Sequence, residues 1–126
     1  PGEKMMVVTN FIKYDKKQEF EDILFNEVMP SYYSYRDSVD ELHSLNQKAK
    51  KTMRIQKPTQ MNEDSTWTFV FMGDPYIDGG NYYIGRPLRQ KYGDENAKEI
   101  IGRWRNCLAK QGQTLFIVEE VDLKGK

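Results

Sequence analysis

The sequence is poor in the residues that most often carry chemistry or cross-links. Its 126 residues include one cysteine and one histidine, and its 19 basic and 19 acidic side chains cancel. A single cysteine excludes a disulfide within the chain, and zero net charge removes the global attraction behind non-specific binding to nucleic acids or anionic membranes. No apolar run reaches the length of a signal sequence or a membrane span. We therefore expect a cytoplasmic protein that binds neither membrane nor nucleic acid.

The chain also lacks internal repeats and low-complexity tracts. Its 126 residues correspond to one domain of ordinary size, which buries roughly two-thirds of the surface that the unfolded chain exposes. The sequence therefore predicts a single domain over residues 1–126.

The clearest fold signal lies in residues 93–121. Gly93 can adopt the left-handed conformation that ends one helix, and Asp94 is a candidate cap for the next. Gly112 is expected to end this second helix, and residues 114–121 to form a strand covered on both faces. Apolar residues recur along the helix at three- and four-residue steps and define a buried face: Ala97, Ile100, Ile101, Trp104, Cys107 and Leu108.

The first half of the chain predicts a strand followed by an unusually long helical region. Residues 5–13 are rich in branched and aromatic side chains and predict a central strand. Asp15 is a candidate cap for a helix whose periodic apolar face continues to about Lys50. Pro30 interrupts this pattern, and we expect a second helical piece from about Ser31.

The middle of the chain alternates strands with flexible connections. Residues 51–57 predict a polar edge strand, and residues 65–72 predict the most aromatic strand. Residues 73–81 contain three glycines and a proline, so we expect a mobile flap. Residues 82–92 are predicted to be partly helical, with Pro87 in the first turn.

This order of elements predicts an α+β fold on the ferredoxin-like βαββαβ plan, with an antiparallel four-stranded sheet and an extended first helical region. Together with Tyr92-Gly93-Asp94-Glu95 leading into the helix of Trp104 and the last strand, the order resembles the dimeric α/β-barrel superfamily. That superfamily includes antibiotic-biosynthesis-type monooxygenases and haem-degrading proteins.

The resemblance implies a homodimer that pairs two sheets and holds a small apolar or aromatic ligand between sheet and helices. Some members oxidise such ligands without metal or flavin, and we expect no cofactor and no metal for this chain. The leading functional hypothesis is a cofactor-independent monooxygenase acting on an aromatic or polyketide-like compound. A non-catalytic ligand-binding protein and a purely structural dimer remain open alternatives.

Six residues are predicted to line such a pocket. Trp67 is also typical of a core aromatic, and Asn10 needs hydrogen-bond partners if it is buried. Arg86 can offer a planar cation to a ligand carboxylate or enolate. The predicted set comprises Asn10, Tyr32, Tyr35, Trp67, Tyr83 and Arg86.

Several other residues are assigned structural roles. In the haem-degrading proteins, an asparagine and a tryptophan at the places of Asn10 and Trp67 occur with a histidine on the second helix. No histidine lies in residues 82–108, which argues against haem. His43 has no ligand partners in sequence and is interpreted as solvated or packed on its helix. Cys107 is interpreted as a small hydrophobe.

Two further functional classes are weighed against this hypothesis. Pro1 resembles the amino-terminal base of tautomerases, but three residues separate it from the first strand, which favours a simple tail. The RNA-recognition motif shares the predicted element order, and Trp67, Phe69 and Phe71 superficially resemble its third-strand signature. Zero net charge and the long first helical region argue against RNA binding.

Overall fold

The structure, a computed structural model, describes residues 2–124. Pro1, considered above as a tautomerase-like base, lies outside the described residues. Along the chain the elements are β1 (Lys4–Ile12), α1 (Lys17–Ile23), a π-helical segment (Leu24–Val28), α2 (Met29–Ser34), α3 (Asp40–Thr52), β2 (Met53–Gln56), β3 (Trp67–Gly73), α4 (Gly85–Tyr92), α5 (Asp94–Cys107) and β4 (Leu108–Glu119).

The strands form an antiparallel four-stranded sheet in the order β2-β3-β1-β4. This order confirms the predicted ferredoxin-like βαββαβ plan. It also confirms that the first strand is central and that β2 lies at an edge. The pairing of β1 with β4 continues beyond both strands, because the Gly2 amide donates to the Glu120 carbonyl and the Glu120 amide to the Glu3 carbonyl, each at 3.0 Å.

The first helical region is not the continuous arm that the sequence pattern predicts. Helical structure stops after Ser34, where Tyr35 has a ψ of 133°, and resumes at Asp40 after an extended Val39 with a ψ of 118°. Between them the Asp37 carboxylate accepts a hydrogen bond from the Val39 amide at 2.9 Å. An aspartate that bonds the backbone two residues ahead stabilises a turn instead of a helix, which accounts for the break.

Pro30 does not interrupt the helical structure, although its ring is expected to break it. The π-helical segment Leu24–Val28 precedes it directly, and the Met29 amide donates to the carbonyl of Leu24, five residues back. Pro30 then lies in the first turn of α2, where its missing amide hydrogen costs little. The wider π turn therefore carries the chain across the proline without a break.

Gly93 confirms the predicted stop between α4 and α5, with a φ of 84°. Asp94, however, is the first residue of α5 and makes no capping hydrogen bond through its side chain. The Gly93 carbonyl instead accepts the Ala97 amide at 2.9 Å, and the Gly93 amide donates to the Arg89 carbonyl at 2.9 Å. Gly93 therefore forms the last backbone hydrogen bond of α4 and accepts one from the first turn of α5. A carboxylate in the first turn still favours the helix through its macrodipole.

The end of α5 lies five residues earlier than Gly112, which the sequence pattern proposed as the stop. Leu108 is already extended, with a ψ of 133°, and the Cys107 carbonyl accepts the Lys13 amide at 2.9 Å. Gly112 lies inside β4 with a φ of 67°, next to a shift in register opposite β1. Gly112 thus permits a bulge in the strand.

The core lies between one face of the sheet and the helices. Phe20 of α1 is its centre, with ring centroids 4.8 Å from Phe69 and 4.4 Å from Trp104. Alternate β1 residues face these helices, and the pattern of buried positions follows the strand period of two. The same face carries the buried residues Met6, Val8, Asn10 and Ile12.

The opposite face of the sheet has no covering element among residues 2–124. Its strands carry apolar side chains, including Val7 and Val70, which are only partly buried. On β4, Phe116 pairs with Val7 and Val118 with Met5, and these two β4 side chains are 51% and 42% exposed. The expectation that β4 is covered on both faces is therefore wrong for this chain taken alone, because β4 is an edge strand outside the helical layer.

Candidate functional site

A cavity of about 320 Å³ lies on the helix side of the sheet, beside β4. Its floor is formed by β1 and β3 through Met6, Val8 and Phe71. Leu115 and Ile117 line the side formed by β4 and are 48% and 45% exposed. The cavity is therefore sheltered by the sheet below and open towards the free edge of β4.

Aromatic side chains cover the cavity from above. Trp104 reaches it from α5 and is 5% exposed. Tyr76, Tyr82 and Tyr83 come from the connection between β3 and α4, and the rings of Tyr76 and Tyr82 stack with centroids 5.5 Å apart. These rings and the apolar floor suit a flat, largely apolar ligand.

The connection formed by residues 74–84 is attached to the body of the protein at several points. The Asp74 amide donates to the Thr52 carbonyl at 3.0 Å, and the Tyr76 amide donates to Lys4 at 2.8 Å. The Tyr82 hydroxyl accepts the Ile77 amide at 2.9 Å and lies 3.1 Å from the Thr52 hydroxyl. The segment expected to be a mobile flap is thus a hydrogen-bonded cover.

Two glycines allow this cover to pack closely. A Cβ at Gly73 would lie 2.9 Å from Cε1 of Tyr82, and one at Gly80 would lie 2.9 Å from the Cβ of Ala49. Both distances are shorter than van der Waals contact between carbon atoms. Glycine is therefore required at both places for sterics and not only for flexibility.

Polar groups at the cavity are few. Gln113 lines it, and its Nε2 donates to Oδ1 of Asn10 at 2.6 Å. Asn10 is fully buried and its Nδ2 donates to the Phe69 carbonyl at 3.3 Å. Asn10 therefore orients the Gln113 amide, whose Oε1 accepts no hydrogen bond from residues 2–124 and remains available to a ligand.

Tyr76 at the cavity and Tyr32 next to the cover favour their protonated form. Burial raises the pKa of Tyr76, and the nearby Asp78, Tyr82 and Tyr83 raise it further. Burial, followed by the proximity of Tyr82 and Tyr33, raises the pKa of Tyr32 well above its usual range. At neutral pH these phenols are donors and not anions.

The structure places the six predicted site residues at different distances from the cavity. Tyr83 lines it and is 72% exposed, while Asn10 lies one residue behind it, against Gln113. The Tyr32 hydroxyl donates to the Asn81 carbonyl at 3.0 Å, so Tyr32 supports the cover from outside. Arg86 lines a second, more open cleft next to the cover.

Trp67 and Tyr35 are not brought to the cavity. The Trp67 indole donates to the Tyr14 carbonyl at 3.0 Å, and the Lys17 ammonium lies 5.4 Å from the centre of its ring. Trp67 is half-buried at the edge of the core, as its alternative assignment as a core aromatic implies. The Tyr35 hydroxyl lies 3.4 Å from Oδ2 of Asp37, in the break between α2 and α3.

The cavity also contains residues that the sequence pattern did not single out. Trp104 was assigned only to the buried face of its helix, although one helix face can serve a core and a cavity together. Gln113 and Met6 reach the site through strand pairing, which is a long-range property. Tyr76 and Tyr82 offered a signal, since aromatic residues in a glycine-containing connection often line ligand sites.

Residues 2–124 contain no group of three or more histidine, cysteine or acidic side chains arranged to hold a metal ion. His43 Nε2 lies 3.1 Å from Arg36 Nη1. Burial, with Glu19 at 3.5 Å from the sulfur, raises the pKa of Cys107 to about 11. None of the helices between residues 2 and 124 combines the length and apolar character of a membrane crossing.

Comparison with known proteins adds little to this geometry. No protein-family model matches the sequence, and no curated protein matches it either. Among solved structures, the chain is similar to a protein from Bordetella bronchiseptica provisionally assigned as an antibiotic biosynthesis monooxygenase, with 11% identity over 96% of this chain and 99% of that chain and a TM-score of 0.43. That likeness carries no argument about activity, and the ferredoxin-like plan rests on this chain's own strand order.

Proposed function

We propose that the chain is a homodimeric protein that binds a small aromatic or polyketide-like compound in the cavity. The observation that carries this proposal is the composition of the wall. No charged side chain of residues 2–124 lines the cavity, whereas Trp104, Phe71 and Tyr76 do. A volume of about 320 Å³ is within the range of small-molecule sites.

The few polar groups can orient such a ligand. The Gln113 Oε1 is available to a ligand hydroxyl, and the Tyr76 and Tyr83 hydroxyls have no hydrogen-bond partner among the described residues. Phenolic hydroxyls donate to ligand carbonyl oxygens. An apolar ring system that carries hydroxyl and carbonyl oxygens matches this set.

The catalytic form of the proposal is a cofactor-independent monooxygenase. The favouring feature is the apolar lining of the cavity: a bound electron-rich phenol would lie against Trp104, and dioxygen is itself apolar. The phenolic substrate supplies the electrons and loses two hydrogen atoms, one from a ring C–H and one from its O–H. The O–O bond breaks, one oxygen atom forms a C=O bond in the quinone product, and the other leaves as water with the two hydrogen atoms. An oxygen electrode tests this by measuring uptake with bound phenols. Binding without oxygen uptake supports the non-catalytic alternative.

Binding is tested by fluorescence in a Trp67→Phe background, in which Trp104 is the remaining tryptophan. Phenols and aromatic acids that enter the cavity should change Trp104 emission and raise the melting temperature, because a ligand that binds only the folded state stabilises it. Tyr83→Ala should raise the dissociation constant about tenfold, the effect of losing roughly one ring contact and one hydrogen bond.

Tyr14→Ala is the matched control, because Tyr14 is 67% exposed and does not line the cavity. This variant should bind as the parent does. If no compound alters Trp104 emission, or if both variants weaken binding equally, the cavity is not the binding site.

The homodimer proposal is supported by the uncovered apolar face of the sheet. Phe116 and Val118 continue the face formed by Met5 and Val7 and are about half-exposed. A sheet face of this kind needs cover from water, and a second copy offers a matching surface.

A further inference from the structure

A second cleft, of about 440 Å³, lies on the other side of the cover from the cavity. It is formed by α3, residues 79–83 and the start of α4. Gly80 and Tyr83 line both spaces and separate them. In contrast to the cavity, this cleft is lined by charged side chains, among them Asp37, Arg86 and Arg89.

The two arginines have no acidic partner within residues 2–124. Arg86 and Arg89 are three residues apart on α4 and therefore lie on one face of the helix. Neither guanidinium forms an ion pair or a hydrogen bond with any residue in 2–124. Nη1 of Arg89 lies 3.2 Å from the position that a Gly85 Cβ would occupy, so this guanidinium is folded over the first turn of α4.

Asn46 adds a buried donor that is also unused. Its side chain lines the cleft and is 4% exposed. Oδ1 accepts the Asn81 amide at 2.8 Å, whereas Nδ2 has no hydrogen-bond partner within the described residues. Because an unpaired buried donor costs free energy, such a group in a native protein indicates a missing partner.

The net charge of the cleft determines which anion fits. Arg86 and Arg89 contribute two positive charges and Asp37 one negative charge, which leaves a formal charge of +1. Asp37 already accepts the Val39 amide. The amino-terminal end of α4, which has eight residues, adds a partial positive charge of roughly half a unit. The formal side-chain charge of +1 balances a monoanion, and the partial charge at the helix end strengthens the attraction for it.

We propose that this cleft binds a carboxylate monoanion, held by the Arg86 and Arg89 guanidinium groups and by Nδ2 of Asn46. The planar forks of arginine match the two oxygens of a carboxylate. The site goes beyond the cavity proposed above and does not depend on it. It would serve a small carboxylic acid or the carboxylate of a larger ligand.

The test is a titration of the ¹⁵N-labelled protein with acetate, a probe too small and polar for the apolar cavity to retain. Acetate should shift the Asn46 side-chain amide and the backbone amides of Gly85 and Arg86. Arg86→Gln and Arg89→Gln should each raise the dissociation constant about tenfold, as expected for losing a charge-assisted hydrogen bond. Both arginines are exposed, so neither change should prevent folding.

Lys91→Gln is the control, since it removes one positive charge from the same helix outside the cleft. It should leave acetate binding unchanged. Equal weakening by all three variants would overturn the site in favour of general charge attraction. Stronger binding of inorganic phosphate at the same amides would overturn the assignment to a carboxylate monoanion, and an unshifted Asn46 amide would overturn the site itself. Trp104 lines the cavity and not this cleft, so its fluorescence tests ligand binding in the cavity separately.

Discussion

Single residues determine how closely the cover approaches the sheet. Gly73 ends β3 directly beneath Tyr82, and the missing Cβ leaves room for the tyrosine ring. The Tyr82 hydroxyl is fixed by bonds to Ile77 and Thr52, so the ring cannot move aside without losing them. The shape of the cavity therefore depends on this glycine.

Gly73→Ala should lower the free energy of unfolding by about 1–3 kcal/mol, the usual cost of overpacking. Gly102→Ala is the matched control, because a Cβ at Gly102 meets nothing within 4 Å and Gly102 lies inside α5. The control should raise the stability by roughly 0.5–1 kcal/mol through helix propensity. Urea unfolding measures both, and equal effects would contradict the steric argument.

The site residues could be predicted only in part from residue type. Asn10 was recognised as a polar residue in an apolar strand, and it does support the cavity, through Gln113. Trp67 is predicted from its position on the third strand in the family resemblance, yet it lies against Lys17 and Tyr14. Which tryptophan reaches the cavity depends on the packing of α5 against the sheet, and no local pattern contains that information.

At the scale of elements, the connection between β3 and α4 acts as a fixed cover. The Tyr82 hydroxyl joins it to α3 at Thr52 and to its own backbone at Ile77. Tyr76 stacks on Tyr82 but its hydroxyl forms no hydrogen bond with the described residues. The two tyrosines therefore separate the effect of ring packing from that of hydrogen bonding.

Tyr82→Phe should lower the stability by about 1–3 kcal/mol, because it leaves the Ile77 amide without its acceptor. Hydrogen exchange at that amide should become faster, and ligands of the cavity should bind more weakly. Tyr76→Phe, which keeps the stack, should change the free energy of unfolding by less than about 0.5 kcal/mol and should leave the exchange rate of the Ile77 amide unchanged. Unchanged exchange in Tyr82→Phe would show that the cover is held by packing alone.

Hydrophobic periodicity predicts which helices and strands form better than it predicts where they begin and end. The buried face of α5 was predicted correctly, since Ala97, Ile100 and Trp104 repeat at helical spacing. The break after α2 was missed because Asp37 acts through a hydrogen bond that competes with a continuous periodic pattern. Likewise Gly112 was assigned to a helix end, although pairing with β1 had already made the chain extended at Leu108.

At the scale of the whole molecule, the helices cover one face of the sheet, and no element of residues 2–124 covers the other. Phe116→Glu places a charge on the uncovered face and should convert the proposed homodimer to a monomer, because an unpaired charge is costly at an apolar interface. Light scattering should give about twice the 14.9 kDa chain mass for the parent and the single mass for the variant.

Ile117→Glu provides the control on the neighbouring residue, which points to the helix side of the sheet. It should remain dimeric, although ligands of the cavity should bind less well. Should the parent remain a monomer at high concentration, the homodimer proposal fails. Should both variants dissociate, the interface uses the edge of β4 and not the open face.

The pairing of β1 with β4 makes the described chain almost a closed ring, because Gly2 and Glu120 are hydrogen-bonded neighbours. In a circular permutant, a short linker would join residue 122 to residue 2, and the chain would be opened between the exposed Thr59 and Gln60. This permuted chain would keep every strand pair. β4 and β1 would then form a local hairpin, and the mean sequence separation of contacts would fall. This permuted chain should refold faster than the parent in stopped-flow measurements. Equal rates would place the pairing of β1 with β4 after the rate-limiting step.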